Sequence, residues 1–82
     1  MGDKDTTLDI ATPAGAFTQT FPKTTKVSEV IQVAIERMGL DPNEQFDLVH
    51  DGQVLQPVER PLVSFGLEDG DQVELVATGS GV

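Results

Sequence analysis

Phe46-Asp47-Leu48-Val49-His50-Asp51-Gly52-Gln53-Val54-Leu55 is the stretch on which the fold turns. Phe46, Leu48 and His50 alternate with Asp47 and Val49, the period of a strand with one buried face. Asp51-Gly52 is a tight-turn pair, because both residue types tolerate the positive φ of a two-residue hairpin turn. Val54 and Leu55 read as a short strand stopped by Pro57, which has no amide hydrogen for a neighbouring strand.

Upstream, Val27, Val30, Ile31, Ala34 and Met38 recur at helical spacing, with Glu29, Gln32, Glu36 and Arg37 mostly on the other side. This predicts an amphipathic helix of about three turns. Ser28 is a plausible cap, with Thr24 and Thr25 as alternatives, and Gly39 followed by Pro42 ends the helix. Before it, Leu8 and Ile10 alternate with Thr7, Asp9 and Ala11. Pro13-Ala14-Gly15 is a turn signal, and Phe17, Gln19 and Phe21 alternate with Thr18 and Thr20, so a β-hairpin opens the chain. Downstream, Glu59 to Ser64 is irregular or one short helical turn, and Phe65-Gly66-Leu67 packs a loop on the core. Asp69-Gly70-Asp71 is a turn, and Val73 and Leu75 mark a last strand.

The order β-β-α-β-β-β predicts an α+β fold of the β-grasp kind, a mixed sheet of four to five strands wrapped around one helix. Its core is expected to gather Leu8, Ile10, Phe17, Val30, Ala34, Leu48, Leu67, Val73 and Leu75. Residues 1–5 read as a polar lead, 6–78 as the domain and 79–82 as a flexible tail, with freedom beginning near Thr78. A chain of 82 residues is one domain, expected to be monomeric.

Composition narrows the function. A net charge of −9 repels phosphate backbones and anionic lipid, which argues against nucleic-acid and membrane partners and favours basic ones. It also reads as a solvated acidic surface. With no cysteine, thiol catalysis, disulfides and thiolate zinc sites are excluded, in keeping with a reducing cytoplasm. No apolar run approaches a membrane span, and the first residues lack a signal peptide's pattern. Gly2 followed by Thr6 is a weak match to a myristoylation signal, set in acidic surroundings that oppose it.

At this point the chain resembles ubiquitin. The interval from Phe21 to Val27, the helix ending Met38-Gly39-Leu40 with Pro42 after it, and Phe46 to Leu55 match in order and spacing. So do Arg60-Pro61-Leu62-Val63-Ser64-Phe65-Gly66-Leu67 and Asp71-Gln72-Val73-Glu74-Leu75-Val76. The resemblance spans about residues 6–78. It implies a ubiquitin-like protein modifier that is not itself an enzyme and needs no cofactor. The cast is that of a divergent bacterial ubiquitin-like protein, of the kind encoded beside adenylating and protease genes. The partners so implied are an adenylating activating enzyme, a conjugating enzyme, a processing or deconjugating peptidase, and target proteins.

Ubiquitin's recognition patch centres on an exposed isoleucine with a valine, a leucine and a histidine. Val49 and Val76 match the isoleucine and valine; Glu74 replaces the histidine, Asp47 replaces an arginine, and Ala14 is the nearest stand-in for the leucine. The implied patch is smaller and more acidic, so ordinary ubiquitin receptors are expected to bind it poorly. Lysines, ubiquitin's chain-linkage sites, are reduced to Lys4, Lys23 and Lys26, none on the helix face. Ubiquitin ends in a basic tail and Gly-Gly; this chain ends Gly79-Ser80-Gly81-Val82. Glycine suits the narrow channel of an activating enzyme, so Gly79, Ser80 and Gly81 form the candidate conjugation tail, with Val82 removed. A frayed chain end reads equally from the same residues.

No other group assembles a site. His50 has no ligand-spaced partner and reads as structural. Asp69-Gly70-Asp71 lacks the length and terminal glutamate of a calcium loop. Ser64 and Ser80 have no neighbouring base. Two further readings stand beside the modifier: a non-conjugated interaction module using the face around Val49 and Val76, and a sulfur carrier, whose relatives end in Gly-Gly.

Overall fold

A computed structural model describes residues 4–78. Strand β1 (Asp5–Thr12) turns through Pro13-Ala14 into β2 (Gly15–Pro22), followed by α1 (Val27–Met38), β3 (Phe46–His50) and β4 (Gln53–Val54). A 3-10 helix (Leu62–Phe65) precedes β5 (Asp71–Ala77). The five strands form one sheet in the order β2-β1-β5-β3-β4, with β1 and β5 parallel at its centre and the other pairs antiparallel. This is the mixed sheet around one helix that the periodicity predicts. The strand begins one residue earlier than the polar lead allowed, at Asp5.

The helix lies across one sheet face and buries Val27, Val30, Ala34 and Ile35. Ile35 rather than Ile31 completes the buried stripe; Ile31 is half-buried at its margin. Leu8, Ile10, Leu48, Leu67, Val73 and Leu75 meet it from the sheet and the returning loop, and Leu62 and Leu55 close the ends. Phe17 departs from expectation. It is half-buried on the core's edge, where the Arg37 guanidinium stands 4.9 Å from its ring centroid. Arg37 also donates to Gln19 Oε1 at 3.1 Å. Its position on the edge strand β2 leaves one side of the ring for Arg37 to cover.

The helix start differs too. Lys26, not Ser28, Thr24 or Thr25, occupies the N-cap, and the Glu29 carboxylate accepts its amide hydrogen at 3.0 Å. The next two amides need no capping side chain. Val27 donates to the Arg60 carbonyl at 3.1 Å and Ser28 to that of Val58 at 2.9 Å. At the other end Gly39 takes φ 67°, and the Leu40 amide closes on the Ile35 carbonyl. In the β3–β4 turn both Asp51 and Gly52 have positive φ, as a two-residue hairpin turn requires.

One buried group has no partner. Thr6 points inward with Leu8 and Ile10 and is fully inaccessible, and its hydroxyl makes no hydrogen bond. Removing an unsatisfied buried hydroxyl recovers its desolvation cost of about 1–3 kcal/mol. Thr6→Val, which keeps the β-branched shape, is therefore expected to raise the thermal midpoint, by about 4–8 °C per kcal/mol gained. A lower midpoint in calorimetry would mean that the hydroxyl is satisfied in solution.

Candidate functional site

Alternation that sends Phe46, Leu48, Val73 and Leu75 into the core sends Asp47, Val49, Glu74 and Val76 to the opposite face of the sheet. The register sets Val76 opposite Asp47, and Val49 opposite Glu74 on one side and Val54 on the other. Val49 and Val76 thus share the face as expected, but diagonally rather than side by side. Val76 is 37% exposed and Val49 is half-buried.

Val54 joins them, at 41% exposed, as a third valine that the sequence reading left out of the patch. Its signal lay in the two-residue Asp51-Gly52 turn. Such a turn pairs His50 with Gln53 and then Val49 with Val54, which puts both valines on one face.

Glu74 stands between two open concavities. One, of about 350 Å³, is lined by Val49, His50, Asp51, Gly52, Gln72 and Glu74. The other, of about 390 Å³, runs between β5 and the first hairpin turn, past Ala11, Thr12, Pro13 and Val76. Pro13 rather than Ala14 borders it; Ala14 is exposed within the turn. Neither concavity is lined by lysine or arginine. A face of separated valines among carboxylates that make no ion pair with the described residues suits a protein surface that offers apolar side chains with basic neighbours.

The remaining candidates have structural occupations. His50 Nε2 lies 3.6 Å from Asp71 Oδ2, an ion pair when the imidazole is protonated. Asp69 Oδ1 accepts the Thr7 amide and Asp71 Oδ2 the Glu68 amide, each at 2.8 Å, so both carboxylates hold the turn. Ser64 Oγ donates to the Pro61 carbonyl at 2.8 Å. Among the described residues no group of three or more histidines and carboxylates is placed to hold a metal, and no helix is long and apolar enough to cross a membrane.

The tail leaves from the strand that carries Val76. Thr78, expected to begin the free segment, is tied instead: its amide donates to the Gln45 carbonyl at 2.9 Å. Gly79, Ser80, Gly81 and Val82, the candidate conjugation tail, lie outside the described residues.

The sequence profile of the Rad60 SUMO-like family of ubiquitin-2-like domains matches residues 17–77. Among solved structures, the C-terminal ubiquitin-like domain of human 2'-5'-oligoadenylate synthetase-like protein superposes with a TM-score of 0.79 at 26% identity, covering 99% of this chain and 93% of that one. A domain whose molecular mimicry of SUMO promotes DNA repair gives 0.81 at 25% identity, covering 93% and 95%. Ubiquitin of Caldiarchaeum subterraneum gives 0.78 at 21% identity, covering 95% and 99%, and shares the fold. No curated protein sequence matches the chain.

Proposed function

The chain belongs to the Rad60 SUMO-like family of ubiquitin-like domains, and from that premise we propose that it is a protein modifier, recognised through its outer sheet face and attached through its C-terminal segment. The observation that carries the reading is the acidic face of Val49, Val54 and Val76 with Asp47 and Glu74, built on β3, β4 and β5, of which β5, with Glu74 and Val76, leads into the tail. A partner that grips Val76 holds the chain two residues before Thr78, whose amide is itself fixed. Recognition of the folded domain thereby positions the glycine-containing segment that follows.

In this reading the chain contributes no catalytic group. A peptidase exposes the Gly81 carboxylate. An adenylating enzyme lets that carboxylate attack the α-phosphorus of ATP, expelling pyrophosphate. A thiol of the partner enzymes takes the acyl group from that adenylate, releasing AMP, and on the conjugating enzyme a target amine displaces the thiol, forming an isopeptide bond and releasing a proton. Glycine at the reacting end suits a narrow channel because it has no side chain and a free backbone. A β-branched valine there is wide and stiff.

The test incubates the full chain, and a form ending at Gly81, with ATP and any adenylating and conjugating enzymes found in its gene neighbourhood. Mass spectrometry is expected to show an adenylate or enzyme-linked adduct on the form ending at Gly81, and a much slower reaction for Gly81→Ala. If neither form reacts, the second reading takes its place: a non-conjugated interaction module. The outer face supports that reading by itself, since its valines and carboxylates do not depend on the tail.

A further inference from the structure

Two Asp-Gly pairs close turns in this chain, Asp51-Gly52 between β3 and β4 and Asp69-Gly70 before β5. All four residues are exposed, so solvent access does not distinguish the pairs. Their hydrogen bonding does. Thr7 holds both halves of the second pair: its amide donates to Asp69 Oδ1 and its carbonyl accepts the Gly70 amide, each at 2.8 Å. Among the described residues neither the Asp51 side chain nor the Gly52 amide has a hydrogen-bond or ion-pair partner. Asp51 takes φ 55°, a left-handed conformation that is costly for a residue with a Cβ. Nothing stands within 4 Å of the place a Cβ would occupy on Gly52. The adjoining β4 is the edge of the sheet, joined to β3 through His50–Gln53 and Val49–Val54.

We propose that Asp51-Gly52 is a modification site, where the aspartyl link converts spontaneously to a β-aspartyl link and thereby remodels the valine face. The Gly52 nitrogen attacks Asp51 Cγ. A C–N bond forms, and the hydroxyl of the protonated carboxyl leaves with the amide proton as water, giving a five-membered imide. Water then adds to the imide carbonyl next to Cα, and the bond from that carbon to nitrogen breaks. The chain now runs through Cβ and Cγ, and the former main-chain carbonyl carbon is a free carboxylate. One water leaves and one enters, so the step needs no other reactant. Glycine at the attacking position brings no side chain to obstruct ring closure. The turn must open locally for the nitrogen to reach Cγ, and an exposed edge hairpin opens at little cost. At Asp69-Gly70 the same step must first break both hydrogen bonds to Thr7. A two-residue turn is what sets Val49 opposite Val54. The converted turn is one backbone atom longer, which displaces Val54 from the face. The conversion stands whether or not that face is recognised; only its effect on a partner rests on the reading above.

The experiment incubates the full chain at neutral pH, below its thermal midpoint, and locates β-aspartyl residues over time by electron-transfer mass spectrometry. Labelling with an S-adenosylmethionine-dependent β-aspartyl carboxyl methyltransferase counts them independently. In the folded chain the product is expected to accumulate at Asp51 about tenfold or more faster than at Asp69, because each hydrogen bond to Thr7 adds to the cost of opening. In concentrated urea the two sites are expected to react at similar rates. Asp51→Glu, whose imide ring would be six-membered and slow to close, is expected to remove the fast product and leave the slow one. In the NMR spectrum of the converted chain the Val49 and Val54 amides are expected to move while those of Leu8 and Ile10 stay. Equal rates at the two sites of the folded chain, a faster Asp69, or no product at either overturns the modification site. A preference for Asp51 that persists undiminished in urea traces to neighbouring residues rather than to Thr7, and overturns the structural assignment. An unmoved Val54 amide overturns the effect on the face.

Discussion

Leu48→Asp leaves the chain without a cooperative thermal transition at neutral pH. Leu48 is fully inaccessible, on the central part of β3, opposite Leu75 and against the helix. Among the described residues no basic side chain is buried in the core to neutralise a carboxylate there. Burying one unpaired costs several kcal/mol, added to the loss of leucine packing, about 2–5 kcal/mol for truncation alone. At roughly 0.05–0.15 kcal/mol per residue, a domain of this size has no more than that to lose. Leu48→Ala is the control: it lacks the charge and is expected to keep a cooperative transition at a lower midpoint. Circular dichroism on heating decides the matter. A midpoint for Leu48→Asp within a few degrees of the parent would remove Leu48 from the core and with it the register of β3 on β5.

Val49→Asp combined with Val76→Asp is expected to do the reverse, sparing the fold and abolishing recognition. The outer face is open to solvent, so the cost to stability stays near the strand-propensity scale of about 1 kcal/mol. Binding suffers far more. Each substitution removes an apolar contact and places a carboxylate where a partner must desolvate it, a loss of about 2 kcal/mol or more at a central contact. Together they amount to a fall in affinity on the order of 1,000-fold, read by calorimetry against the cognate activating or conjugating enzyme. Asp47→Lys with Glu74→Lys should weaken binding in a different way, chiefly through association rate and salt dependence. Unchanged affinity in the double aspartate variant would clear this face of any part in recognition.

The fold was legible because its signals are local. Leu8 and Ile10, Leu48 and His50, and Val73 and Leu75 declare strands by a period of two. Val27, Val30 and Ala34 declare a helix by its longer period. Gly39 and Asp51-Gly52 mark turns because backbone sterics restrict which residues take positive φ. The candidate patch was half legible for the same reason. Alternation assigns Val49 and Val76 to a face, but a face is not a neighbourhood. Val54 entered only when the turn length was converted into a register, and Phe17 lost its central place only when β2 proved to be the sheet edge. The tail rests on composition alone: Gly79, Ser80 and Gly81 have no bulk with which to declare a packing partner.

By itself the sequence determined the element order, the buried face of each strand, the helix stripe and the absence of thiol chemistry. Each follows from backbone geometry or from residue identity over a few positions. Only the tertiary structure decided which distant residues touch. It brought Arg60 and Val58 to the helix start, so that their carbonyls receive the amides a capping side chain would have held. It set Asp71 beside His50, tied Thr78 to Gln45, and drew Lys4, Lys23 and Val63 around one concavity. Those contacts depend on the strand order and on how the loops close over the core. The hydrophobic effect that drives closure is non-directional, so pattern alone names what is buried and leaves the neighbours to packing.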